Sequence, residues 1–417
     1  MQVIKKISII LIGCLLAMSF VSCGGDSEEP KKNENGNKQQ NETPDEGGKI
    51  SSIEFSVPEE SSVVAEFSGH FAFPDVVKLK NGKFMTVFRS GTQHVDVSGA
   101  IFASFSEDGI NWDEPDIVFN DPSIDDRDPS IAVLSDGRVA MNWFKYRYPE
   151  DNFSEPWVHH LFFAVSGKSG LNFGDEVQVD GGVFDYSETS ELDENGIWRD
   201  DKGSEITVAA SSSSVIEHDG KIIIPGYFGG ALNRKEMAKT PKTKVVLYES
   251  ADGGKTWTPN EVKAEIDENI WLQEPALLKV TDSRWIIQAR TAKGASPSNK
   301  GDLVQTVSED GGKTWSPYKS LGFVAHAPEL LKLENGVIVS SFRWLDWGLN
   351  VEREAVSMVY SLDGGDTWSD LIEILDCGLA ECGYPGMVEL PDNKILVVYY
   401  TPGGRSIESK IITFETK

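Results

Sequence analysis

The chain has 417 residues, of which 66 are acidic and 39 are basic, so its formal net charge at pH 7 is −27. So acidic a protein is a poor partner for nucleic acid or for an anionic membrane surface. The sequence has no zinc-ligand spacing, no phosphate-binding loop and no Ser/His/Asp order typical of hydrolases. It therefore predicts neither a metal site nor a cofactor.

The N-terminus has the pattern of a secretory signal peptide over residues 1–22, with two lysines, an apolar run and small residues. The letters FVSC resemble a lipobox, so we expect Cys23 to become the lipidated first residue of a bacterial lipoprotein. The alternative is an ordinary cleaved signal followed by an incidental cysteine. Residues 23–50 are polar and predict a disordered tether. Together these segments predict an extracytoplasmic protein that a lipid anchors to a membrane, the outer membrane on its periplasmic or cell-surface side.

One β unit recurs six times in residues 51–417. Each copy is an apolar run, usually led by proline, that ends in turn residues eight positions later, and a second β-rich run follows. The Asp-Gly and Asn-Gly pairs in these turns mark hairpins because such residues tolerate a positive φ. The sequence therefore predicts an all-β fold, a six-bladed β-propeller in one domain. The copies begin at residues 74, 129, 212, 275, 328 and 385.

The two ends of the domain are expected to share one blade. The sixth copy has too few residues for a fourth strand, whereas residues 51–58 have strand character and no partner of their own. Pairing the ends would remove an open sheet edge.

A second repeat, S-x-D-G-x-x-W or S-x-D-G-G-x-T-W, ends the third strand of four copies, at residues 106–112, 250–257, 308–315 and 361–368. Its Ser and Asp bind nearby backbone N–H groups, its Gly supplies left-handed geometry and its Trp fills the hairpin base. These residues have folding roles. As Asp-box repeats, they make the chain resemble the sialidase superfamily, and the resemblance implies a glycan substrate.

The repeat register predicts where the site lies. In a propeller the first strand of each blade lines the channel and the second returns antiparallel, so the start of one lies beside the end of the other. Charged and aromatic residues recur at these positions, which favours a site on the face opposite the Asp boxes. They include Asp128, Glu274, Tyr384, Arg89, Arg290 and Arg343.

Three segments resemble sialidase segments closely enough to imply roles for particular residues. Residues 272–290 resemble the run in which Glu precedes Pro and Arg closes the next strand, which implies Glu274 and Arg290. Residues 383–400 resemble the segment of the nucleophilic tyrosine, which implies Tyr384, and residues 353–368 imply Arg353 as a substrate-binding arginine. A tyrosine activated by glutamate avoids the repulsion that a sialoside carboxylate exerts on an anionic nucleophile. Arginines bind that carboxylate through two bonds.

The chain departs from the sialidase pattern at Ala72, where the first of three carboxylate-binding arginines is expected. Arg89 ends the adjacent strand and Arg127 opens the next blade, so either residue is a candidate replacement.

The acid/base residue has several candidates. Asp96 is the best match to the sialidase loop after the second strand, His94 competes with it, and Asp75 and Asp128 remain open. Trp271, just before the glutamate, is a candidate for stacking on a sugar.

The resemblance implies an exo-acting, retaining hydrolase that releases a terminal, acidic sugar. A glycosidase for a non-sialic sugar and a non-catalytic glycan-binding lipoprotein are the alternatives. Cys377 and Cys382 predict a local disulfide in an oxidising compartment, since no further metal ligand is near them in sequence.

Overall fold

The computed structural model describes residues 50–147, 156–182, 190–232, 239–346 and 353–417. The predicted signal peptide, the tether and Cys23 lie outside these residues and stay predictions. All the regular elements in the described ranges are strands, and this part of the chain has no helix long and apolar enough to cross a membrane.

The described strands form six antiparallel units, in agreement with six blades. Two N-terminal strands, β1 (Ile53–Ser56) and β2 (Ser62–Ala65), precede the first unit. Units one and two contain β3 (His70–Lys78), β4 (Phe84–Gly91), β5 (Ala100–Ser106), β6 (Asp116–Phe119), then β7 (Asp125–Val133), β8 (Val139–Arg147), β9 (Val158–Val165) and β10 (Val177–Gln178). A small hairpin of β11 (Glu191–Leu192) and β12 (Trp198–Arg199) comes next.

The remaining units continue in the same order. Unit three contains β13 (Thr207–Ala210), β14 (Ile216–His218), β15 (Lys221–Gly230), β16 (Lys244–Ser250) and β17 (Thr258–Glu261). Units four and five contain β18 (Ile270–Lys279), β19 (Trp285–Lys293), β20 (Asp302–Ser308), β21 (Lys319–Lys332), β22 (Ile338–Asp346), β23 (Arg353–Ser361) and β24 (Ile372–Gly378). Unit six contains β25 (Gly383–Leu390), β26 (Lys394–Tyr400) and β27 (Ile407–Thr416).

Units four and five share one strand. The long strand β21 pairs with β20 at its start and with β22 over the rest of its length, so it ends one blade and begins the next.

Glycine turns join the first two strands of repeats one, two and five, as predicted. Gly82, Gly137 and Gly336 have φ near 90° and each donates its N–H to a carbonyl three residues earlier. A side chain is strained at that φ, which is why glycine is required there.

Apolar clusters fill the spaces between neighbouring blades. One contains Met85 and Trp143 from units one and two, and another contains Met358 and Tyr399 from units five and six. Further clusters join units two to three, three to four, four to five and six to one. The buried core is therefore a ring of interfaces around the channel.

The N-terminal strand closes the last blade, as the sequence predicts. Strand β1 pairs antiparallel with β27 from Ile53 opposite Thr416 to Ser56 opposite Thr413. The pairing supplies the outer strand that the sixth repeat lacks.

The Asp boxes fold as local caps at the ends of third strands. In one of them Ser308 Oγ accepts the N–H of Gly312, and Asp310 accepts backbone N–H groups from Lys313 and Thr314. Trp315 then donates its indole N–H to the Gly312 carbonyl. No box residue lines the cavity beside Tyr384 described below.

Candidate active site

A backbone irregularity places one residue of most blades toward the channel. The first strands of five units carry a bulge, or shift of register, at their proline. The residue before each of these prolines has a left-handed φ between 45° and 57°. Such a φ costs a non-glycine residue roughly 1–2 kcal/mol, and strain of this kind concentrates at functional sites. These residues are Phe73, Asp128, Glu274, Ala327 and Tyr384.

Glu274 is the centre of this ring. Its Oε1 accepts the Tyr384 hydroxyl at 2.7 Å and Arg290 Nη1 at 2.6 Å, and its Oε2 accepts the Ala327 N–H at 2.9 Å. The register therefore brings Glu274, Arg290 and Tyr384 together as predicted from the sequence. The guanidinium and the backbone donor orient the Glu274 carboxylate, and its Oε1 contacts the Tyr384 hydroxyl.

The Tyr384 phenol is held in its neutral form. Burial raises its pKa well above the usual range, and the negative charge of Glu274 adds to that rise, while Arg290 opposes it. A phenol of this kind needs a base that accepts its proton while it attacks. The Glu274 carboxylate is in hydrogen-bond contact and fits that role.

Asp128 has the environment of a proton donor. Burial raises its pKa to about 7, Arg127 opposes the rise and Glu274 adds to it. Its Oδ2 accepts the Ser212 hydroxyl at 2.8 Å, whereas its buried Oδ1 has no hydrogen-bond partner among the described residues. A carboxyl group with a pKa near neutrality and one unused oxygen can both give and take a proton.

A small, partly open cavity lies at this level of the channel. Phe73, Asp128, Ser212, Ala327 and Tyr384 are among its lining residues. The proposed nucleophile and the carboxyl group with the raised pKa thus face one space.

Arg89 and Arg127 both bind a carboxylate that the sequence did not suggest, Asp125. Arg89 Nε lies 2.7 Å from Asp125 Oδ1, and Arg127 Nη1 lies 3.1 Å from Asp125 Oδ2. Arg127 also lies over the ring of Phe73, with its guanidinium carbon 4.9 Å from the centroid. Asp125 and Arg127 are two residues apart and share one face of β7, which is the signal that sequence analysis could have used.

Arg343 is bound by two carboxylates. Its Nη2 lies 2.6 Å from Glu354 Oε2, and its Nη1 donates to Glu381 Oε1 at 3.2 Å. The Tyr400 hydroxyl donates to the same Glu381 oxygen at 2.8 Å. Glu381 was missed from the sequence, although it stands inside the Cys377–Cys382 pair.

The two cysteines form a disulfide in the structure. The loop that it closes contains Glu381, whose carbonyl accepts the N–H of Gly403 at 2.7 Å. The disulfide thus holds a carboxylate next to Arg343.

The structure does not bring Arg353 to the site. It begins β23, its Nε donates to Asp376 Oδ1 at 3.0 Å, and its Nη2 contacts Glu373. Both partners are on β24, the outer strand of the blade, and a third of the Arg353 side chain is exposed. The expected grouping of Arg353 with Tyr384 is corrected by this geometry, and Arg343 is the arginine of blade five near the channel.

Asp96 is used within its own loop. Its carboxylate accepts the Gln93 and Ser98 N–H groups and the Thr92 hydroxyl at 2.5 to 2.8 Å. Burial raises its pKa, but these hydrogen bonds outweigh that effect and leave the pKa lowered. A lowered pKa does not support the general-acid role.

His94 is also a poor proton donor. Burial and the neighbouring charge of Arg127 lower its pKa to about 2, so the ring is neutral. It lies beside the site, with Nδ1 3.3 Å from Glu381 Oε1.

Asp75 lines the same cavity, next to Pro74. Its carboxylate accepts the N–H groups of Val76 and Ile131 and the Ser214 hydroxyl at 2.7 to 2.8 Å. Burial raises its pKa to about 6. The three bonds join three blades, which is a structural role.

Trp271 does not offer a free face to a sugar. Its side chain is fully buried, its indole N–H donates to Gly294 at 3.0 Å, and the Lys242 ammonium lies 4.3 Å from its ring centroid. The expected sugar contact is corrected here, because the ring is packed in the protein.

No group of three or more His, Cys, Asp or Glu side chains suited to a metal ion is present in the described ranges.

Comparison with known proteins identifies the family. The model of the BNR repeat-like domain matches residues 180–397, which is more than half of the chain. The chain belongs to this family. A search of curated protein sequences gave no match.

Solved structures show the same fold. A protein of unknown function from Dyadobacter fermentans is 23% identical, with a TM-score of 0.67 over 88% of this chain and 100% of that one. The Hadza microbial sialidase Hz136 is 15% identical, with a TM-score of 0.58 over 82% of this chain and 65% of its own length. NanB sialidase from Streptococcus pneumoniae is 12% identical, with a TM-score of 0.57 over 85% and 70%. The chain thus spans about two thirds of the length of these two sialidases.

Proposed function

We propose that the protein is an exo-acting glycoside hydrolase that releases a terminal sugar from glycans with retention of configuration. The single observation that carries this proposal is the 2.7 Å hydrogen bond from the Tyr384 hydroxyl to Glu274 at the channel cavity. A tyrosine and glutamate pair replaces the usual two carboxylates in sialidases.

In the first step, the Tyr384 oxygen attacks the anomeric carbon as Glu274 accepts the phenol proton. Asp128 gives its proton to the departing glycosidic oxygen, and a covalent glycosyl-tyrosine forms. In the second step, the Asp128 carboxylate takes a proton from water, and that water attacks the anomeric carbon. Glu274 returns its proton to the phenol oxygen, so all three groups regain their starting states.

We assign the acid role to Asp128 rather than to Asp96. The pKa of Asp128 is raised to about 7, which suits an acid at neutral pH, whereas hydrogen bonds lower the pKa of Asp96. The two carboxyl groups also differ in their surroundings, because Asp128 lines the cavity beside Tyr384, whereas Asp96 is bound by its own loop.

We also propose an extracytoplasmic location with a lipid anchor at Cys23. The signal-like N-terminal sequence and the disulfide of Cys377 with Cys382 support it, since disulfides persist in oxidising compartments. Metabolic labelling with a palmitate analogue tests this proposal. Incorporation that Cys23→Ala abolishes would support it, and unchanged incorporation would contradict it.

Covalent trapping tests the mechanism directly. Fluorinated glycosyl fluorides, both neutral sugars and 2,3-difluorosialic acid, slow the second step so that the intermediate accumulates. The expected result is the mass of one sugar on the peptide that contains Tyr384, and none in Tyr384→Phe. Label on another residue would refute the nucleophile assignment. Glycan binding with neither label nor hydrolysis would favour a binding protein instead.

A further inference from the structure

We propose that Glu381 determines substrate charge: its carboxylate takes the position at Arg343 that a sugar carboxylate would need, so the substrate is a neutral glycoside. The proposal rests on the hydrolase function above and narrows its substrate class. It departs from the acidic sugar that the resemblance implies.

The arginines around the site are already paired with carboxylates. Four described arginines lie around the predicted site, and each contacts at least one carboxylate of the protein itself. The pairs are Arg89 and Arg127 with Asp125, Arg290 with Glu274, and Arg343 with Glu354 and Glu381. A further carboxyl group, Asp128, has its Oδ1 3.9 Å from Arg127 Nε. The carboxylates of the protein thus at least equal the four guanidinium groups in number, and they leave no excess positive charge to attract an anion.

Glu381 lies nearer to solvent than the other three carboxylates. It is the most exposed of these four carboxylates, with 31% of its side chain accessible, whereas Asp125, Glu274 and Glu354 are at 10% or less. It binds Arg343 and the Tyr400 hydroxyl, and the Tyr400 ring centroid lies 6.1 Å from that of Tyr384. A ligand that reaches Tyr384 from solvent therefore meets Glu381 before it meets Arg343.

Glu381 is held in place by its loop. The Cys377–Cys382 disulfide closes its loop, and Gly403 donates its N–H to the Glu381 carbonyl. A ligand carboxylate would have to displace this side chain or lie against it. Lying against it places two like charges together, and the neighbouring His94 ring is neutral and gives no compensation.

The same groups suit an uncharged sugar. The Glu381 carboxylate has acceptor capacity left for sugar hydroxyl donors, and hydrogen bonds to an ionised group are about twice as strong as neutral ones. A neutral pyranoside would use Glu381 as a hydroxyl acceptor while Arg343 stays paired.

The test compares substrate charge in the wild type and in Glu381→Gln. Hydrolysis of aryl α-sialosides and of neutral aryl glycosides is measured for each protein. The wild type is expected to prefer a neutral glycoside by at least about a hundredfold in kcat/KM. Glu381→Gln releases Arg343 from one anion, so it should raise kcat/KM for the sialoside and lower it for the neutral sugar, each by about tenfold or more. Glu373→Gln is the matched control, since Glu373 binds Arg353 on the outer strand, and it should change neither.

Binding separates this proposal from the hydrolase function. Calorimetry with free N-acetylneuraminate and with neutral monosaccharides compares the affinities for charged and neutral sugars and does not depend on turnover. If the protein binds neutral sugars more tightly but hydrolyses no substrate, the proposed hydrolase function is wrong, and the proposal that Glu381 selects neutral sugars stands. The role of Glu381 would be overturned if the wild type preferred the sialoside, or if Glu381→Gln lowered kcat/KM equally for both substrates.

Discussion

The hydroxyl of Tyr384 donates to Glu274 across the channel, from blade six to blade four, over a sequence separation of 110 residues. Both residues precede a proline, and both have a left-handed φ, 46° for Tyr384 and 48° for Glu274. The same bulge in two blades separated by one other blade thus aims two side chains at one point. The strain of these conformations is compensated by the surrounding blades.

Replacement of Tyr384 by Phe is expected to lower kcat at least about a thousandfold, because the nucleophilic oxygen is removed and the ring is kept. The melting temperature should change little, since one hydroxyl contributes only about 1 kcal/mol. Initial rates on the best aryl glycoside and a thermal melt provide the two measurements.

Tyr248→Phe is the matched control for this variant. Tyr248 is a buried tyrosine of blade three whose hydroxyl has no hydrogen-bond partner among the described residues. It should retain wild-type turnover. Equal loss in both variants would mean that a damaged fold, and not a missing nucleophile, explains the result.

Asp128→Asn is expected to slow the hydrolysis of substrates with poor leaving groups by about 10² to 10⁴. Substrates with a good leaving group, such as a dinitrophenolate, need little protonation and should lose much less. Because burial raises the pKa of Asp128 to about 7, wild-type kcat/KM should fall as the pH rises through 7, when the acid loses its proton. That basic limb should disappear in Asp128→Asn.

Asp96→Asn distinguishes the two candidates for the acid. The asparagine keeps one carbonyl oxygen for the loop donors, so the loop should survive with a modest loss of stability. We expect the basic limb of the pH profile and the leaving-group dependence to match the wild type. If they vanish in this variant and persist in Asp128→Asn, Asp96 is the acid.

The sequence predicted the features that repeat. Hairpin glycines, Asp boxes and prolines recur in register, so the blades, their order and the level of Glu274 and Tyr384 could be inferred. Closure by β1 followed from a count of strands, because the last repeat lacked one. Local rules and periodicity are sufficient for such features.

Partners that depend on long side chains could not be inferred in this way. Arg353 and Arg343 both lie beside acidic residues in the folded chain, yet Arg353 binds Asp376 on an outer strand and Arg343 binds Glu381 near the channel. Strand register fixes the Cα and the face of the sheet that a side chain occupies, but a guanidinium several bonds away can reach partners on different neighbouring segments. The role of Glu381 could not be inferred from the sequence, because it depends on the geometry of the loop that the disulfide closes.

The two arginines are expected to differ in their effect on kinetics. Arg343→Lys keeps the charge but loses the fork that contacts Glu354 and Glu381, so kcat/KM should fall about tenfold or more. Arg353→Lys should leave kcat and KM within about twofold, because its partners lie on β24. Steady-state rates of both variants decide the point, and a larger loss in Arg353→Lys would restore Arg353 to the site.

Removal of the disulfide tests whether the loop positions Glu381. Replacing Cys377 and Cys382 by Ser opens a short loop, for which chain entropy predicts a loss of about 2 kcal/mol in the free energy of unfolding. If the disulfide only stabilised the fold, kcat/KM would remain unchanged at a temperature well below the melting point. We expect instead that the freed loop lets Glu381 leave Arg343, so that neutral glycosides are hydrolysed several-fold more slowly. Adding Glu381→Gln to the double cysteine variant should then lower kcat/KM for neutral glycosides only slightly further, since both changes remove the same contact. Urea unfolding gives the stability, and the kinetics of the single, double and triple variants give the coupling. Additive kinetic losses would show that the disulfide and Glu381 act independently.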